Sequence, residues 1–401
     1  MTREEIYSLC EQSLNKTNSL FMELATGTGK TKLSIDLVNH LLEPLQDKAV
    51  NILILVAKTV HKQTWKEEIE KWGGIHHPNL NICMECYESL KNHCREHWSI
   101  ILCDEVHHIG SDVRLDLLKT MSFDWLIGLS ATIPRKLKQY FRFMYHTEVV
   151  SCDLIEAIED DILPEPEILL YPLLLDNTKV TETIVVNPKA TKGPVDGEYK
   201  FMRKYKFQMR DTKVNVHCTQ QQKLNELDSQ ITWLKNKYMN THSKANEQSW
   251  LYMCGRRLEF LADCKLKVVQ IILDKLKNYR TITFCKTIKQ TEALSGNCIH
   301  SKKKDASEVY EKFNQKKIKH ITAVNILNEN ANLVDCKYAI FANLSSSEVV
   351  MPQRLGRSMR HPHPVIIIPF YKGTREEEIV GKYVEGFNKD YIKVIHSITE
   401  I

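Results

Sequence analysis

Apolar residues come in short, dense runs along the first third of the chain. SLFMELA (19–25), VNILILVA (50–57), LNICMECY (80–87), SIILCDE (99–105) and WLIGLSAT (125–132) are each too short for a buried helix and too apolar for a strand with one wet face. Between them lie amphipathic stretches such as KTKLSIDLVNHLLEPL (30–45) and HKQTWKEEIEKWG (61–73), the second ended by glycine. Near-continuous apolar strands separated by helices predict a parallel sheet covered on both faces.

The middle of the chain breaks this rhythm. DDILPEPEILLYPLLLD (160–176) carries three prolines and reads as a linker or an edge strand. KATKGPVDG (189–197) is turn-rich. EYKFMRKYKFQMRDTKVNV (198–216) alternates, with Tyr199, Phe201, Arg203, Tyr205 and Phe207 on one face and Lys200, Met202, Lys204 and Lys206 on the other. That is the pattern of a half-buried strand, and also of a strand-separating pin. Residues 219–262 read as helical. The βα rhythm then returns: KLKVVQIILDKLKN (265–278) is an amphipathic helix, and TITFC (281–285), IKHITAVNIL (318–327), YAIFANL (338–344) and PVIIIPFY (364–371) are strands. There is no repeat at solenoid periods.

Composition adds bounds. At 401 residues, 43% hydrophobic and 26% charged, the chain can bury real cores, and no apolar run approaches membrane-spanning length. The charged start, MTREEIYSLCEQ, lacks a secretory apolar core, so the expected location is intracellular. A net charge of +5 permits a nucleic-acid partner without demanding one. The twelve cysteines are scattered, as free thiols in a reducing compartment would be. Cys83 and Cys86 form one CxxC with His93 and Cys94 nearby, an incomplete zinc set that reads as cysteines packed in and beside a strand.

Residues 24–31 read LATGTGKT, between an apolar strand and a helix. This is the context of a phosphate-binding loop, although the strict pattern wants glycine where Leu24 stands. Thr26, Gly27, Thr28 and Gly29 would cradle the phosphates of a nucleotide with their backbone N–H groups. Lys30 would reach the β- and γ-phosphates, and Thr31 would hold Mg2+. Asp104 and Glu105 end another apolar strand, which puts them beside that loop. Asp104 suits Mg2+ and Glu105 suits the attacking water; adjacent buried acids are costly without a cation.

Taken in order, TGTGKT, DEVH (104–107), SAT (130–132) and QRLGRSMR (353–360) resemble the motif set of helicase superfamily 2, DExH type. LVAKTVHKQTWKEEIEKW (55–72) resembles motif Ia with its helix, CYESL (86–90) motif Ic, ITFCKT (282–287) motif IV and VNILNENANL (324–333) motif V. The resemblance implies an α/β protein: two RecA-like parallel-sheet domains in tandem, with a helical and β-hairpin insertion between them and ATP in the cleft. The expected units are 1–160, a linker and insertion over 161–263, and 264–401. Arg357 and Arg360 are then the finger arginines and Gln353 a nucleotide or water contact, while Arg354 falls outside the motif and reads as surface. His107, Ser130 and Thr132 would couple the cleft to the nucleic-acid groove. Lys58, Thr59, Ser89, Lys286 and Thr287 occupy matching places for phosphate-backbone contacts, with His300 and Ser301 as additions. Asn330 and Asn332 depart from the motif V glycine and acid, and Gln12 is the nearest glutamine for reading adenine, at short spacing.

The expectation is an ATP- and Mg2+-dependent helicase or translocase. DNA is preferred to RNA because DEVHH and the linker style resemble phage and DNA-repair members, used in replication, recombination or repair. The alternatives are an RNA helicase, the motor of a restriction or defence assembly working with a nuclease partner, and a clamp that binds nucleic acid without turnover. No membrane role is expected.

Overall fold

A computed structural model of the chain describes residues 1–186, 214–324, 333, 335–345, 354, 356 and 361–401. Helix α1 (Arg3–Thr17) leads into strand β1 (Ser19–Leu24), α2 (Lys30–Leu42), β2 (Val50–Val56), α3 (Thr59–Lys71), β3 (Leu80–Cys86) and β4 (His97–Asp104). Then follow α4 (Asp112–Lys119), β5 (Ser122–Ser130), α5 (Arg135–Tyr145), β6 (Glu148–Cys152) and α6 (Leu154–Glu159). The six strands pair in parallel in the order β3-β2-β4-β5-β1-β6.

Alternation explains why both faces of this sheet are dry. Leu20, Met22, Ile52, Ile54, Ile100, Leu102 and Ile127 bury toward one face, and Phe21, Leu53, Leu55, Ile101, Cys103 and Leu126 toward the other. Helices cover each side, as parallel strands require. Gly128 on β5 admits this packing: a Cβ there would stand 2.6 Å from the Phe21 ring.

The second sheet holds seven parallel strands in the order β11-β12-β10-β13-β14-β7-β15. These are β7 (Glu167–Leu173), β10 (Thr281–Phe284), β11 (Cys298–Ile299), β12 (His320–Ala323), β13 (Tyr338–Phe341), β14 (Val365–Tyr371) and β15 (Ile392–Val394). Strand β7 lies within the stretch read as a linker or an edge strand, and the structure corrects that reading, since β7 is an inner strand between β14 and β15. It pairs along its whole length with β14, from Val365↔Glu167 to Tyr371↔Leu173. Pro164 and Pro166 precede the strand, and Pro172 is its penultimate residue. The second sheet thus begins about a hundred residues before its expected start.

Between β7 and β10 stand an antiparallel pair, β8 (Glu182–Val186) with β9 (Val214–Cys218), and two long helices, α7 (Gln220–Thr241) and α8 (Lys244–Cys264). The alternating segment 198–216 falls outside the described residues up to 213. Helices α9 (Leu266–Lys275), α10 (Ile288–Leu294), α11 (Ala306–Asn314) and α12 (Arg375–Val384) complete the second unit. At the α8–α9 junction, Lys265 is fully buried and its Nζ lies 2.6 Å from Glu376 Oε1 of α12. The same ammonium donates to the Pro369 carbonyl at 3.2 Å, and Glu376 Oε2 accepts from the Tyr371 N–H at 3.1 Å. One ion pair therefore ties the long helices to β14 and α12.

Helix α1 was not foreseen. Its signature is nonetheless in the sequence: Thr2 and Glu5 form a reciprocal capping box, and Ile6, Cys10 and Leu14 are buried at helical spacing. Among the described residues no helix is long and apolar enough to cross a membrane.

Candidate active site

The loop between β1 and α2 depends on its glycines. Gly27 has φ +99° and Gly29 φ +96°, a region that costs other residues strain and lets the backbone curl. Lys30 opens α2, and its Nζ donates to the carbonyls of Leu24 at 2.7 Å and Ala25 at 3.1 Å. Leu24, where the strict pattern wants glycine, is a core residue at 1% exposure. Its side chain anchors the strand end, and only its carbonyl faces the loop's lysine.

Asp104 ends β4, and Glu105 follows at φ +51°, a left-handed conformation that costs a non-glycine residue on the order of 1–3 kcal/mol. Both acids are buried, at 7% and 5% exposure. Asp104 is held from two sides. Trp65 Nε1 of α3 donates to Asp104 Oδ2 at 2.9 Å, and the Tyr87 hydroxyl donates to its backbone carbonyl at 2.9 Å. Glu105 Oε2 accepts from Ser130 Oγ at 3.0 Å and lies 3.4 Å from His107 Nδ1. Burial pushes the Glu105 carboxyl up, but His107, Lys30 and Ser130 together outweigh it and hold the group below the usual carboxylate range. It is therefore poised as an anion.

His107 Nδ1 also lies 3.1 Å from Ser130 Oγ, so Glu105, His107 and Ser130 meet at one point. The Thr132 N–H reaches the same hydroxyl at 3.3 Å. One residue on, the Ile133 N–H donates to Glu23 Oε1 at 2.7 Å, and Lys138 holds Glu23 Oε2 at 2.8 Å. The turn after β5 is thus pinned to the strand that carries the phosphate-type loop.

A cavity of about 690 Å³ opens over these groups, lined by Tyr7 and Arg3 of α1, the 26–31 loop, Trp65, Trp72 and the two acids. The donor set fits a magnesium triphosphate: backbone N–H groups at a helix start, one lysine, and two buried carboxylates beside a hydroxyl. Gln12 does not line the cavity and pairs with Ser8 instead.

The second unit meets this loop directly. Gly356 lies so close that a Cβ on it would stand 2.4 Å from the Thr26 carbonyl oxygen, and a Cβ on Gly27 would stand 3.3 Å from the Gly356 carbonyl. Gln353, Arg357 and Arg360 lie outside the described residues. Arg354 does not, and it is no surface residue. It is 1% exposed, its Nη1 donates to the Asn343 carbonyl at 2.9 Å, and its guanidinium sits 5.2 Å from the Phe284 ring centroid.

Residues 2–135 match the family described as the type III restriction enzyme res subunit, and residues 264–362 match the helicase conserved C-terminal domain. Together the matches span more than half of the chain and fall on its two parallel-sheet units. The chain belongs to helicase superfamily 2.

No curated protein matches this helicase by sequence. Solved structures share its fold. Dbp5 of S. cerevisiae bound to RNA and ADP BeF3 aligns with a TM-score of 0.59 at 11% identity, over 98% of this chain and 89% of that one. The ATP-dependent type ISP restriction-modification enzyme LlaBIII bound to DNA aligns with a TM-score of 0.56 at 12% identity, over 99% of this chain and 31% of that one.

In the helicase, Lys58 and Thr59 sit where β2 gives way to α3, which begins at Thr59 and not at His61 as the sequence suggested. Ser89 lies on the 3-10 turn after β3 (Tyr87–Asn92). Thr59 Oγ1 is 3.7 Å from Cys86 Sγ, so these two stretches share one rim at the C-terminal ends of the strands. Lys286 and Thr287 occupy the corresponding end of β10, where Thr287 caps α10 through the Gln290 N–H. Asn330 and Asn332 lie outside the described residues. His300 is 4% exposed, with Ser301 exposed beside it. Residues the sequence did not single out are Trp65, Tyr87, Glu23 and Tyr7, each reaching the site from a different element. No local pattern joins them, since their contacts span 17 to 115 positions.

Proposed function

We propose that this helicase is a nucleic-acid-stimulated ATPase that translocates on or remodels DNA. One observation carries the reading: Gly356 of the second unit packs on Thr26 of the loop that holds Lys30, beside buried Asp104 and Glu105. ATP hydrolysis is a property of the family. The site supports these roles for individual residues.

Gly27, Gly29 and the start of α2 bind the phosphates, and Lys30 turns from the Leu24 and Ala25 carbonyls to the terminal ones. Thr31 and Asp104 would hold Mg2+, whose charge would stabilise the oxygens that part during hydrolysis. Trp65 orients Asp104 and keeps one of its oxygens fixed. Glu105, anionic and 3.0 Å from the Ser130 hydroxyl, accepts a proton from the attacking water. Arg357 and Arg360 follow Gly356 in sequence and supply guanidinium groups to the γ-phosphate from the second unit, a contribution on the order of 10³–10⁵ in rate. Loss of that phosphate weakens the hold between the units, so turnover becomes movement. Lys58, Thr59, Ser89, Lys286 and Thr287 grip the nucleic-acid backbone.

DNA as the track is supported by the restriction-enzyme family match and by LlaBIII, which is bound to DNA. The same observations favour a second reading, the motor subunit of a restriction or defence assembly. Co-purification with a nuclease tests it. The deciding experiment is ATPase activity with single-stranded, duplex and forked DNA and with RNA, at two salt concentrations. Stimulation by DNA that falls steeply with salt is expected. Stimulation by RNA alone makes the protein an RNA helicase. Activity no higher than that of Glu105→Gln under every polymer makes it a clamp.

A further inference from the structure

The edge strand β3 and the turn after it bring together three groups that the ATPase leaves unused. One ligand atom each from Cys83, Glu85 and His93 lies within 4.8 Å of the others, and all three residues are half-buried. Strand alternation creates the set. Cys83 and Glu85 are two residues apart and share a face of β3, whereas Cys86 has the opposite parity and sits against Thr59. The CxxC spacing that catches the eye is therefore not the ligand set. His93 closes the 3-10 turn, its N–H bound to the Leu90 carbonyl at 3.1 Å. Cys94 points elsewhere, toward the Leu90 carbonyl at 3.5 Å.

We infer that Cys83, Glu85 and His93 form a site for a single Zn2+, separate from the nucleotide cavity. A thiolate with an imidazole suits zinc and not magnesium or calcium, which take oxygen ligands. Bonds of about 2.0–2.3 Å put zinc ligands about 3.3–3.8 Å apart, so the three groups close by about an ångström, and water takes the fourth position. The surroundings already resemble those of bound metals. Glu96 Oε2 lies 3.4 Å from His93 Nδ1, the carboxylate partner that orients ligating histidines. Trp98 packs edge-on to the His93 ring at 5.7 Å. Lys62 holds Glu85 Oε2 at 3.0 Å, and a carboxylate has a second oxygen for a cation. Binding transfers the Cys83 thiol proton to solvent as the S–Zn bond forms.

The test uses the full chain, stripped with a chelator and titrated with Zn2+ alone, and with Co2+ as the optical probe. One equivalent of metal is expected, with a near-ultraviolet thiolate-to-cobalt band. Cys83→Ser removes the band, and His93→Ala, which deletes a direct ligand, weakens zinc binding by at least the roughly tenfold that loss of an orienting partner alone costs. Cys86→Ser and Cys94→Ser keep band and affinity. Circular dichroism of each variant verifies its fold. A wild-type chain without the band, a band that survives Cys83→Ser, or one lost in folded Cys86→Ser or Cys94→Ser overturns the site.

Discussion

Gly356 and Thr26, 330 positions apart in sequence, are in backbone contact: a Cβ on the glycine would stand 2.4 Å from the threonine carbonyl oxygen and 2.6 Å from its Cβ. The neighbouring atoms belong to the phosphate-type loop itself and cannot swing aside as a side-chain tip would. Gly356→Ala should hold the two units apart while leaving the first intact. We expect ATP binding within about threefold of wild type and turnover lower by about 100-fold, the loss that an ångström of misplacement can cause. Equilibrium binding of a fluorescent ATP analogue beside steady-state ATPase rates measures the split. A variant with full turnover would mean that catalysis does not use this approach.

Trp65 fixes Asp104 through a single hydrogen bond of 2.9 Å inside the protein. Trp65→Phe keeps the ring's packing and removes the donor. Freed on one side, the carboxylate samples orientations that do not suit a cation. We expect about 10- to 100-fold weaker use of Mg2+, read as the concentration giving half-maximal ATPase, as is usual when a ligand's orienting partner is lost. An unchanged magnesium dependence would show that Tyr87, on the backbone side, suffices to hold the acid.

Ser130 stands between chemistry and movement. Its hydroxyl donates to Glu105 Oε2 at 3.0 Å, and the same oxygen meets the Thr132 N–H at 3.3 Å. Ser130→Ala deletes both links at once. Glu105 keeps Lys30 and His107 nearby, so ATP hydrolysis should fall by about 10- to 100-fold, the size of one hydrogen bond to a charged group. Strand displacement should fall further, because the turn no longer reports the state of the acid. ATPase and forked-duplex unwinding assayed on one preparation compare the two. Equal losses would remove Ser130 from the coupling.

Much of this was legible in the chain. Parallel strands buried on both faces announce themselves as unbroken apolar runs, which is why SLFMELA, VNILILVA and SIILCDE were placed within two residues. The glycines of TGTGKT and the acid pair after a strand need no tertiary knowledge. What was hidden depended on partners far away. Strand β7 reads as linker or edge strand because of its prolines, and its distant partners β14 and β15 make it an inner strand. Arg354 shares its spacing with Arg357 and Arg360, yet the Phe284 ring and the Asn343 carbonyl draw it inside. Helix α1 carries its capping box in the sequence, but its mostly charged and polar residues hide the apolar stripe of Ile6, Cys10 and Leu14.

Lys265 and Glu376 offer the cleanest test of the second unit's stability. Both side chains are sealed from water, at 0% and 1% exposure, with Nζ and Oε1 2.6 Å apart. Removing one partner leaves the other charge buried alone, which costs about 3–5 kcal/mol. Lys265→Met should therefore lower the unfolding midpoint in urea sharply, with the slope unchanged. Replacing both, as Lys265→Met with Glu376→Gln, leaves no buried charge and preserves an acceptor for the Tyr371 N–H. We expect the double variant to recover more than half of the loss. If it is no more stable than Lys265→Met, the energy resides in the lysine's hold on the Pro369 carbonyl and its packing, not in the ion pair.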